Sequence, residues 1–170
     1  MNDILLVPHS LLRQKSKALN RVTKEDIDLS KKMTKIMKKA PGVGLAANQI
    51  GILKQIITVH IIDKEKEMNK IYTLFNPVIM SYSKKIIVME EGCLSLPKQF
   101  ADIERPQSIT VRYINEDKKI IEEKKDGLEA RILQHEIDHL SGKLFVDYLS
   151  SLKRNMLIKK VNKLKKIGDI

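Results

Sequence analysis

The sequence predicts an α+β domain in which mostly antiparallel strands pack against helices. Helical periodicity appears near the N-terminus, several short strand-like runs follow, and helical periodicity returns toward the C-terminus. The strand-like runs are separated by short turns, which favour antiparallel pairing. The 170 residues show no repeat, linker or change in composition, so we interpret residues 1–170 as a single domain.

The first helix is predicted to begin after Thr23. The segment Thr23-Lys24-Glu25-Asp26 resembles a capping box with Asp in place of Glu. Apolar side chains then recur every three or four residues, at Leu29, Met33, Ile36, Met37 and Ala40. Pro41-Gly42 ends the pattern. Most lysines fall off this stripe and are expected to face water, namely Lys31, Lys32, Lys35, Lys38 and Lys39.

The middle of the chain carries the predicted strands. Apolar and β-branched runs occupy residues 56–62, 71–75, 86–89 and 108–114. Asn76-Pro77 is expected to close the second run. In the fourth run Ile109, Val111 and Tyr113 share one face. Residues 115–117 then turn the chain toward residues 119–121, which predicts a hairpin.

Two further helices are predicted near the C-terminus. Asp126 can cap the first, Glu129 stands three residues later as in a capping box, and Gly142 ends it. The second begins near Ser150 and covers about residues 150–167. Its basic character is marked, because residues 147–170 hold seven Lys or Arg and two Asp.

Composition limits the classes of function. The formal net charge is +11, which suits an anionic partner, although solvated lysines alone explain it equally well. Aromatic residues make up 4% and Trp is absent, and no nucleic-acid-binding motif appears, so sequence-specific nucleic-acid binding is not expected. No apolar run approaches the roughly 20 residues of a membrane helix, and no signal peptide is recognisable. A single cysteine cannot form an internal disulfide, which favours a reduced, cytosolic setting.

The segment His135-Glu136-Ile137-Asp138-His139 is an HExxH sequence inside a predicted helix. Residues four apart lie on one helix face, so both histidines can reach the same metal ion, and Glu136 can contact a water on it. An apolar stripe leads into the histidines, at Leu128, Ile132, His135 and His139. Two core histidines are the less favoured alternative. The expected architecture is therefore a set of sheets around a central metal-binding helix, with helices at both ends.

Catalytic metal sites commonly use three protein ligands, and no third ligand follows the HExxH segment in the manner of the zinc peptidases. Cys93, in Glu91-Gly92-Cys93-Leu94-Ser95, is the candidate, because a thiolate binds borderline-soft divalent ions well. A buried structural cysteine and a cysteine nucleophile are the alternatives. His9 and His60 have no further candidate ligand at a suitable spacing, and they are expected to be structural.

A third segment of interest runs from Gly42 to Gln49. It matches neither the phosphate-binding P-loop nor the dinucleotide fingerprint. Its small residues permit close approach of another backbone, and the Gln49 amide is a donor that suits an oxyanion hole.

These three segments together resemble the motifs of the peptide deformylases. That family carries GxGLAAxQ, EGCxS and HExDH in this order, and the segments beginning at Gly42, Glu91 and His135 match at every motif position. The resemblance covers essentially the whole chain. It implies a hydrolase that removes the formyl group from N-formylmethionyl nascent polypeptides and releases formate. It also implies one divalent metal ion, natively Fe²⁺, with Zn²⁺, Ni²⁺ and Co²⁺ as alternatives.

The resemblance assigns roles to individual residues. The metal ligands are expected to be Cys93, His135 and His139, with Glu136 as general base toward a metal-activated water. The oxyanion donors are the Gln49 side chain and the Leu94 backbone N–H. From their own positions, Leu128 and Ile132 are expected to wall the methionine pocket, because they share the helix face of His135. Gly44 is expected to contact the substrate main chain, and Val43 and Met89, which flank motif residues, are weaker pocket candidates. Glu91 and Arg105 form a hypothetical ion pair that holds the Cys93 loop.

The resemblance also suggests partners and a location. The basic C-terminal helix could dock on the ribosome through Lys153, Arg154, Lys159, Lys160 and Lys163, whereas a plain solvated face is the alternative. A bacterial cytoplasm is expected, with the mature form of an organellar enzyme as the alternative. Two other functions compete with this one. The first is an HExxH metallopeptidase, which the motifs beginning at Gly42 and Glu91 do not favour. The second is a non-catalytic RNA-associated protein that has kept the scaffold.

Overall fold

A computed structural model describes residues 4–64 and 67–170. The fold is α+β, as predicted. Its helices are α1 (Lys24–Lys39), α2 (Gly127–Leu140) and α3 (Ser151–Lys166). Its strands are β1 (Gly44–Ala46), β2 (Ile56–Asp63), β3 (Met68–Tyr82), β4 (Ile86–Cys93), β5 (Leu96–Pro106), β6 (Ser108–Ile114) and β7 (Ile120–Asp126). Short 3₁₀ turns occupy Ser10–Arg13, Ala47–Ile50 and Phe145–Tyr148.

Helix α1 forms as its sequence predicts. The Thr23 hydroxyl accepts a hydrogen bond from the Asp26 N–H, and the Asp26 carboxylate accepts one from the Thr23 N–H, which completes the capping box. Met33, Ile36 and Met37 are buried. The five lysines predicted to face water are all exposed.

Five strands form one antiparallel sheet in the order β1-β2-β3-β6-β7, with β1 at one edge. The predicted hairpin joins β6 to β7. Ile109, Val111 and Tyr113 share the buried face of β6, where they join the core beneath α2. The sheet therefore supplies an apolar floor for the central helix.

The prediction that Asn76-Pro77 closes the second strand is wrong. Strand β3 continues to Tyr82, with a shift in its pairing with β6 between Phe75 and Val78. Asn76 adopts a positive φ of 49°, and its side-chain amide hydrogen-bonds the backbone N–H and C=O of Leu19. A bulge tolerates proline because the missing N–H is not needed by the ladder there.

Strands β4 and β5 form a separate two-stranded hairpin. The sequence does not single out β5, although its side chains alternate between buried and exposed. Two of its buried positions hold Gln99 and Arg105, so the alternation is not one of apolar and polar residues. The hairpin ends at Cys93 and is the second structural unit that supplies the site.

Helix α2 begins after Asp126 and ends before Gly142, as predicted. The expected capping box is wrong, because the Asp126 side chain makes no capping hydrogen bond and Glu129 instead accepts one from the Tyr72 hydroxyl at 2.6 Å. Gly142 has a φ of +74°, and a side chain there would collide with the Arg13 carbonyl group.

Helix α3 is capped by Ser150, whose hydroxyl accepts a hydrogen bond from the Lys153 N–H. Leu157 and Val161 anchor it in a core that includes Phe145 and Leu96. Of the other apolar positions, Leu152 is 81% exposed and Met156 is 46% exposed. Across the described ranges, none of the helices has the length and apolar character that crossing a membrane requires.

Candidate active site

The three predicted metal ligands come together from two structural units. Cys93 stands at the end of β4, and His135 and His139 lie one turn apart on α2. The Cys93 Sγ atom is 3.3 Å from His139 Nε2, which is 3.3 Å from His135 Nε2. All three ligand atoms lie within 4.8 Å of one another. Both histidines are buried, and Cys93 is half-buried.

The donor set suits a divalent transition-metal ion. One sulfur and two imidazole nitrogens converge, which is a common ligand set for borderline-soft ions and leaves a coordination position open. His135 Nδ1 lies 2.9 Å from the Glu91 carboxylate, so Nε2 is the atom that faces the cluster. Burial and the neighbouring His135 hold the pKa of His139 well below its usual value, which favours the neutral, ligating form.

Glu91 is the centre of a buried polar network. Arg105 donates to both of its oxygens, at 2.6 and 3.0 Å, and Arg131 donates to Oε1 at 2.8 Å. Burial alone would raise the pKa of Glu91, but the hydrogen bonds from His135 and Arg105 outweigh it and hold the pKa well below its usual range. The hypothetical pair of Glu91 and Arg105 is therefore present, and the same carboxylate hydrogen-bonds His135.

Glu136 lies beside the cluster without joining it. Its side chain is buried, and among the described residues its Oε2 atom has no hydrogen-bond partner. Burial raises the pKa of Glu136 to about 7. Gly44 lies against it so closely that a Cβ atom there would come within 2.6 Å of the Glu136 Cδ atom. The carboxyl group is thus held in a tight, buried slot and can carry or release a proton near neutral pH.

Gln49 is held near Cys93 by the 3₁₀ turn after β1. Its Oε1 atom accepts a hydrogen bond from the Ala46 N–H at 2.9 Å. Its Nε2 atom donates to Ser95 Oγ at 3.1 Å and lies 3.5 Å from Cys93 Sγ. The neighbouring Asn48 amide donates to the His139 carbonyl at 2.6 Å, which ties this turn to α2. The Gln49 amide donor therefore points toward the ligand cluster.

A cavity of about 610 Å³ opens onto the cluster. The residues that line it include Val43, Gly44, Leu128 and Ile132, as the sequence predicts, together with Gln49, Leu94, Cys93, His135 and Glu136. Met89 is not among them, so its assignment to the pocket is wrong. It lies opposite Ile103 in the hairpin, and Ile103 is buried in the core, whereas the neighbouring Glu90 and Gly92 line the cavity.

Comparison with known proteins agrees with this geometry. The family model described as polypeptide deformylase matches residues 1–155. The chain is 47% identical over 165 residues to the peptide deformylase of Pelagibacter ubique, covering 97% of this chain and 95% of that protein. It is 43% identical to the peptide deformylase of Agrobacterium fabrum, over 96% of this chain and 95% of that one. The chain belongs to the peptide deformylase family.

The crystal structure of the peptide deformylase from Ehrlichia chaffeensis has a TM-score of 0.93 with this chain, at 35% identity and 98% coverage of both. The protein is therefore a hydrolase, a peptide deformylase that removes N-formyl groups from nascent chains. Deformylases are metalloenzymes, and the cluster of Cys93, His135 and His139 could hold the ion.

Several residues of this deformylase site escaped the sequence analysis. Arg131 and Phe100 both line the cavity, and Ser95 holds Gln49. Arg131 carries a signal that could have found it, because it precedes His135 by four residues and so shares its helix face. Ser95 stands at the last position of the EGCxS motif, whereas Phe100 carries no such signal. His9 and His60 lie outside the cluster and make local hydrogen bonds to Leu11 and Asn69, which agrees with a structural role.

Proposed function

We propose that the deformylase reaction takes place at the cluster of Cys93, His135 and His139, with one divalent ion held by these three side chains. The convergence of their ligand atoms within 4.8 Å, beside a buried carboxyl group, is the observation that carries this proposal. When bound, such an ion supplies a Lewis acid and lowers the pKa of a water molecule.

Glu136 acts as the general base and then as the general acid. Its raised pKa, about 7, makes it suited to take a proton from the attacking water and later return it. The proton goes to the departing amine nitrogen when the bond between the formyl carbon and that nitrogen breaks. Formate and a free methionine N-terminus are the products, and one carboxyl group serves both proton transfers.

The Gln49 side-chain amide and the Leu94 backbone N–H stabilise the oxygen of the formyl group as negative charge develops on it. Ser95 and the Ala46 N–H hold the Gln49 amide in one orientation, so little reorganisation is needed during the reaction. Removing one donor of this kind typically costs about 3–4 kcal/mol of transition-state stabilisation.

The methionine side chain occupies the cavity between Val43, Leu128 and Ile132, which are its apolar wall. The peptide main chain lies beside Gly44, because β1 pairs with β2 alone and forms an edge of the sheet. An extended substrate can add to such an edge as a further strand.

Formate release from formyl-Met-Ala-Ser tests the proposal, with protein purified anaerobically in Fe²⁺. The wild type should release formate, and Glu136→Ala should lower the rate by about 10²–10⁴-fold with the metal content unchanged by elemental analysis. Glu104→Gln, which changes an exposed carboxyl group of β5, is the matched control and should behave as the wild type does. Equal rates in wild type and Glu136→Ala would reject the role of Glu136.

We infer that the native ion is Fe²⁺, with Zn²⁺, Ni²⁺ and Co²⁺ as competent substitutes, because the ligand set accepts all four. A ferrous ion beside a thiolate is open to oxidation, so activity should decay in air. Elemental analysis of protein purified anaerobically without added metal identifies the ion, and a stable activity in air would argue for Zn²⁺ or Ni²⁺.

We also infer that the protein works in a bacterial cytoplasm and docks on the ribosome through α3. The two relatives named above, at 43% and 47% identity, come from bacteria, and its substrate is a chain under synthesis. The outer face of α3 exposes Lys153, Lys159, Lys160 and Lys163, and Leu152 and Met156 lie among them. Such a face suits ribosomal RNA phosphates together with a small apolar contact.

A further inference from the structure

Arg131 links the two structural units that carry the metal ligands. It lies on α2, one turn before His135, and is 4% exposed. Its Nη1 atom donates to Glu91 Oε1 at 2.8 Å and to the Ile103 carbonyl at 2.7 Å. Its Nη2 atom donates to the Ile87 carbonyl at 2.7 Å. One side chain therefore binds both strands of the β4–β5 hairpin.

The position of the hairpin depends on such links because, among the described residues, neither of its strands pairs with a strand of the five-stranded sheet. It forms its own two-stranded sheet, apart from the five strands beneath α2. Isolated hairpins are only marginally stable, so their position depends on packing and side-chain bonds. Cys93 ends the hairpin strand β4, whereas His135 and His139 belong to α2. The distance between thiolate and imidazoles thus depends on the hairpin's position relative to α2.

Arg105 cannot supply this link in the same way. It belongs to the hairpin itself, and it already binds both oxygens of Glu91, which orients that carboxylate toward His135. It reaches α2 through Asp138, at 2.8 Å. The two carbonyl groups, Ile87 on β4 and Ile103 on β5, are bonded to Arg131. The guanidinium of Arg131 therefore spans β4 and β5 from the side of the helix.

We propose that Arg131 is a positioning residue that fixes the hairpin against α2 and thereby controls how long the metal ion is held. The inference rests on the proposed ligand set of Cys93, His135 and His139. Removing Arg131 should let Cys93 move relative to the two histidines. Loss of a residue that supports metal ligands typically weakens metal binding about 10–100-fold.

An electrostatic role would change metal binding in the opposite direction. Arg105 and Arg131 together balance the charges of Glu91 and Asp138. Without Arg131 the cluster gains one net negative charge, which by itself should hold a cation more tightly. A purely structural role would lower the stability of metal-free and metal-loaded protein alike and leave release unchanged. The sign of the change in release rate therefore separates the three roles.

The experiment uses Co²⁺-loaded protein without substrate, so any effect of Arg131 on the methionine pocket does not enter. We compare wild type, Arg131→Met and Arg131→Lys for Co²⁺ release to a chromophoric chelator. The visible spectrum of the bound Co²⁺, which reports its ligand geometry, and the Tm of metal-free and loaded protein are recorded as well. Release should be about 10–100-fold faster in Arg131→Met, with an altered Co²⁺ spectrum. Arg131→Lys should fall in between, since an ammonium group cannot span all three acceptors.

Arg13→Met is the matched control. Arg13 also acts electrostatically on His139, but its hydrogen bonds go to Asp147 and Gly142 rather than to the hairpin. It should release Co²⁺ at the wild-type rate or more slowly. If Arg131→Met does not fold, the release rate of Arg131→Lys decides alone.

Release from the Arg131 variants at the wild-type rate, or more slowly, would overturn the inference while leaving the ligand set intact. Failure of the wild type to bind one Co²⁺ per chain would instead overturn the ligand set, and the inference with it. Faster release with a near-normal Tm of the metal-free protein supports the positioning role.

Discussion

Helices α2 and α3 are similar in length, yet they bury very different surfaces. Helix α2 has 14 residues, of which nine are buried, and five of those nine are polar: Arg131, Gln134, His135, Glu136 and His139. Helix α3 has 16 residues and buries Leu157 and Val161. Its six lysines are all exposed to water instead, and the helix contains no acidic residue.

The difference indicates where function resides in each helix. Burying a polar group costs free energy unless the group has a partner. Five buried polar side chains on one helix therefore indicate that these side chains have a bonding or functional role. On α2, four of these side chains contact Glu91, backbone carbonyls or each other in the ligand cluster. Glu136 instead lies beside the cluster, and its Oε2 atom has no partner among the described residues. On α3 the charged groups keep their water and are free to meet an external partner. Substitutions on or against α2 should therefore affect chemistry, and substitutions on α3 should affect stability or docking.

The largest effect is expected from Gly44→Ala, which acts on Glu136 of α2. The new methyl group would lie within 2.6 Å of the Glu136 Cδ atom, so the carboxyl group must leave its slot. The formate release rate should fall about 10²–10⁴-fold, the range for losing a general base. Metal content should not change, because the three atoms nearest to the new methyl group all belong to Glu136 and none to a ligand of the cluster.

Gly42→Ala provides the comparison for this test. Its methyl group would meet the Leu94 side chain rather than a carboxyl group, and a leucine side chain can shift without removing a proton acceptor. Its rate should fall less than that of Gly44→Ala. Equal losses in the two variants would show that crowding of the cavity, and not displacement of Glu136, sets the rate.

A smaller effect, on stability alone, is expected in α3. Leu157 is buried against Phe145 and Leu96, so Leu157→Ala should lower the free energy of unfolding by about 2–5 kcal/mol. Leu152 is 81% exposed, and Leu152→Ala should change it by less than about 0.5 kcal/mol. Denaturant unfolding measures both, and the formate release rate of the folded variants should equal that of the wild type.

A loss of turnover in folded Leu157→Ala would contradict the division between the two helices. It would mean that α3 transmits strain through the core around Phe145, whose ring stacks on His135 at a centroid distance of 6.1 Å. Metal content measured on the same sample would then show whether the ligand geometry had changed.

The comparison also explains how far the sequence could predict the site. The spacing of His135, Glu136 and His139 is a property of one helix, so helical geometry alone brings them together. Arg131 lies on the same helix face, but its acceptors include backbone carbonyls of a hairpin that is far away in the sequence. A local sequence pattern cannot predict such a contact. Met89 was assigned by its nearness to a motif, but the cavity is lined on β4 only from Glu90 onward, and Met89 lies opposite the buried Ile103.

The fold was predicted best where burial follows polarity. Helix α1 and strand β6 bury apolar residues at regular intervals, and both were found from the sequence. Strand β5 was missed because the site requires Arg105 on its buried face, and β3 was cut short because Asn76 takes a left-handed conformation. The buried polar residues of the site therefore broke the apolar–polar alternation by which the second strand of the hairpin could have been recognised.

The smallest effect on turnover is expected when the charges of α3 are removed. A variant with Lys159, Lys160 and Lys163 each changed to Gln should release formate from a short peptide at the wild-type rate. Its affinity for ribosomes should fall, and the slope of log K against log salt should lessen by roughly 2–3 if each lysine neutralises one phosphate.

The matched control changes Lys31, Lys35 and Lys38 of α1 to Gln, which removes the same charge from another exposed helix face. Docking through α3 predicts that this variant keeps the wild-type affinity and salt slope. Equal losses in the two variants would mean that net charge alone attracts the protein to the ribosome, and no loss in either would remove α3 as a docking surface. Because α3 buries two residues and contributes none to the cavity, any change in its ribosome affinity can be measured apart from the chemistry at α2.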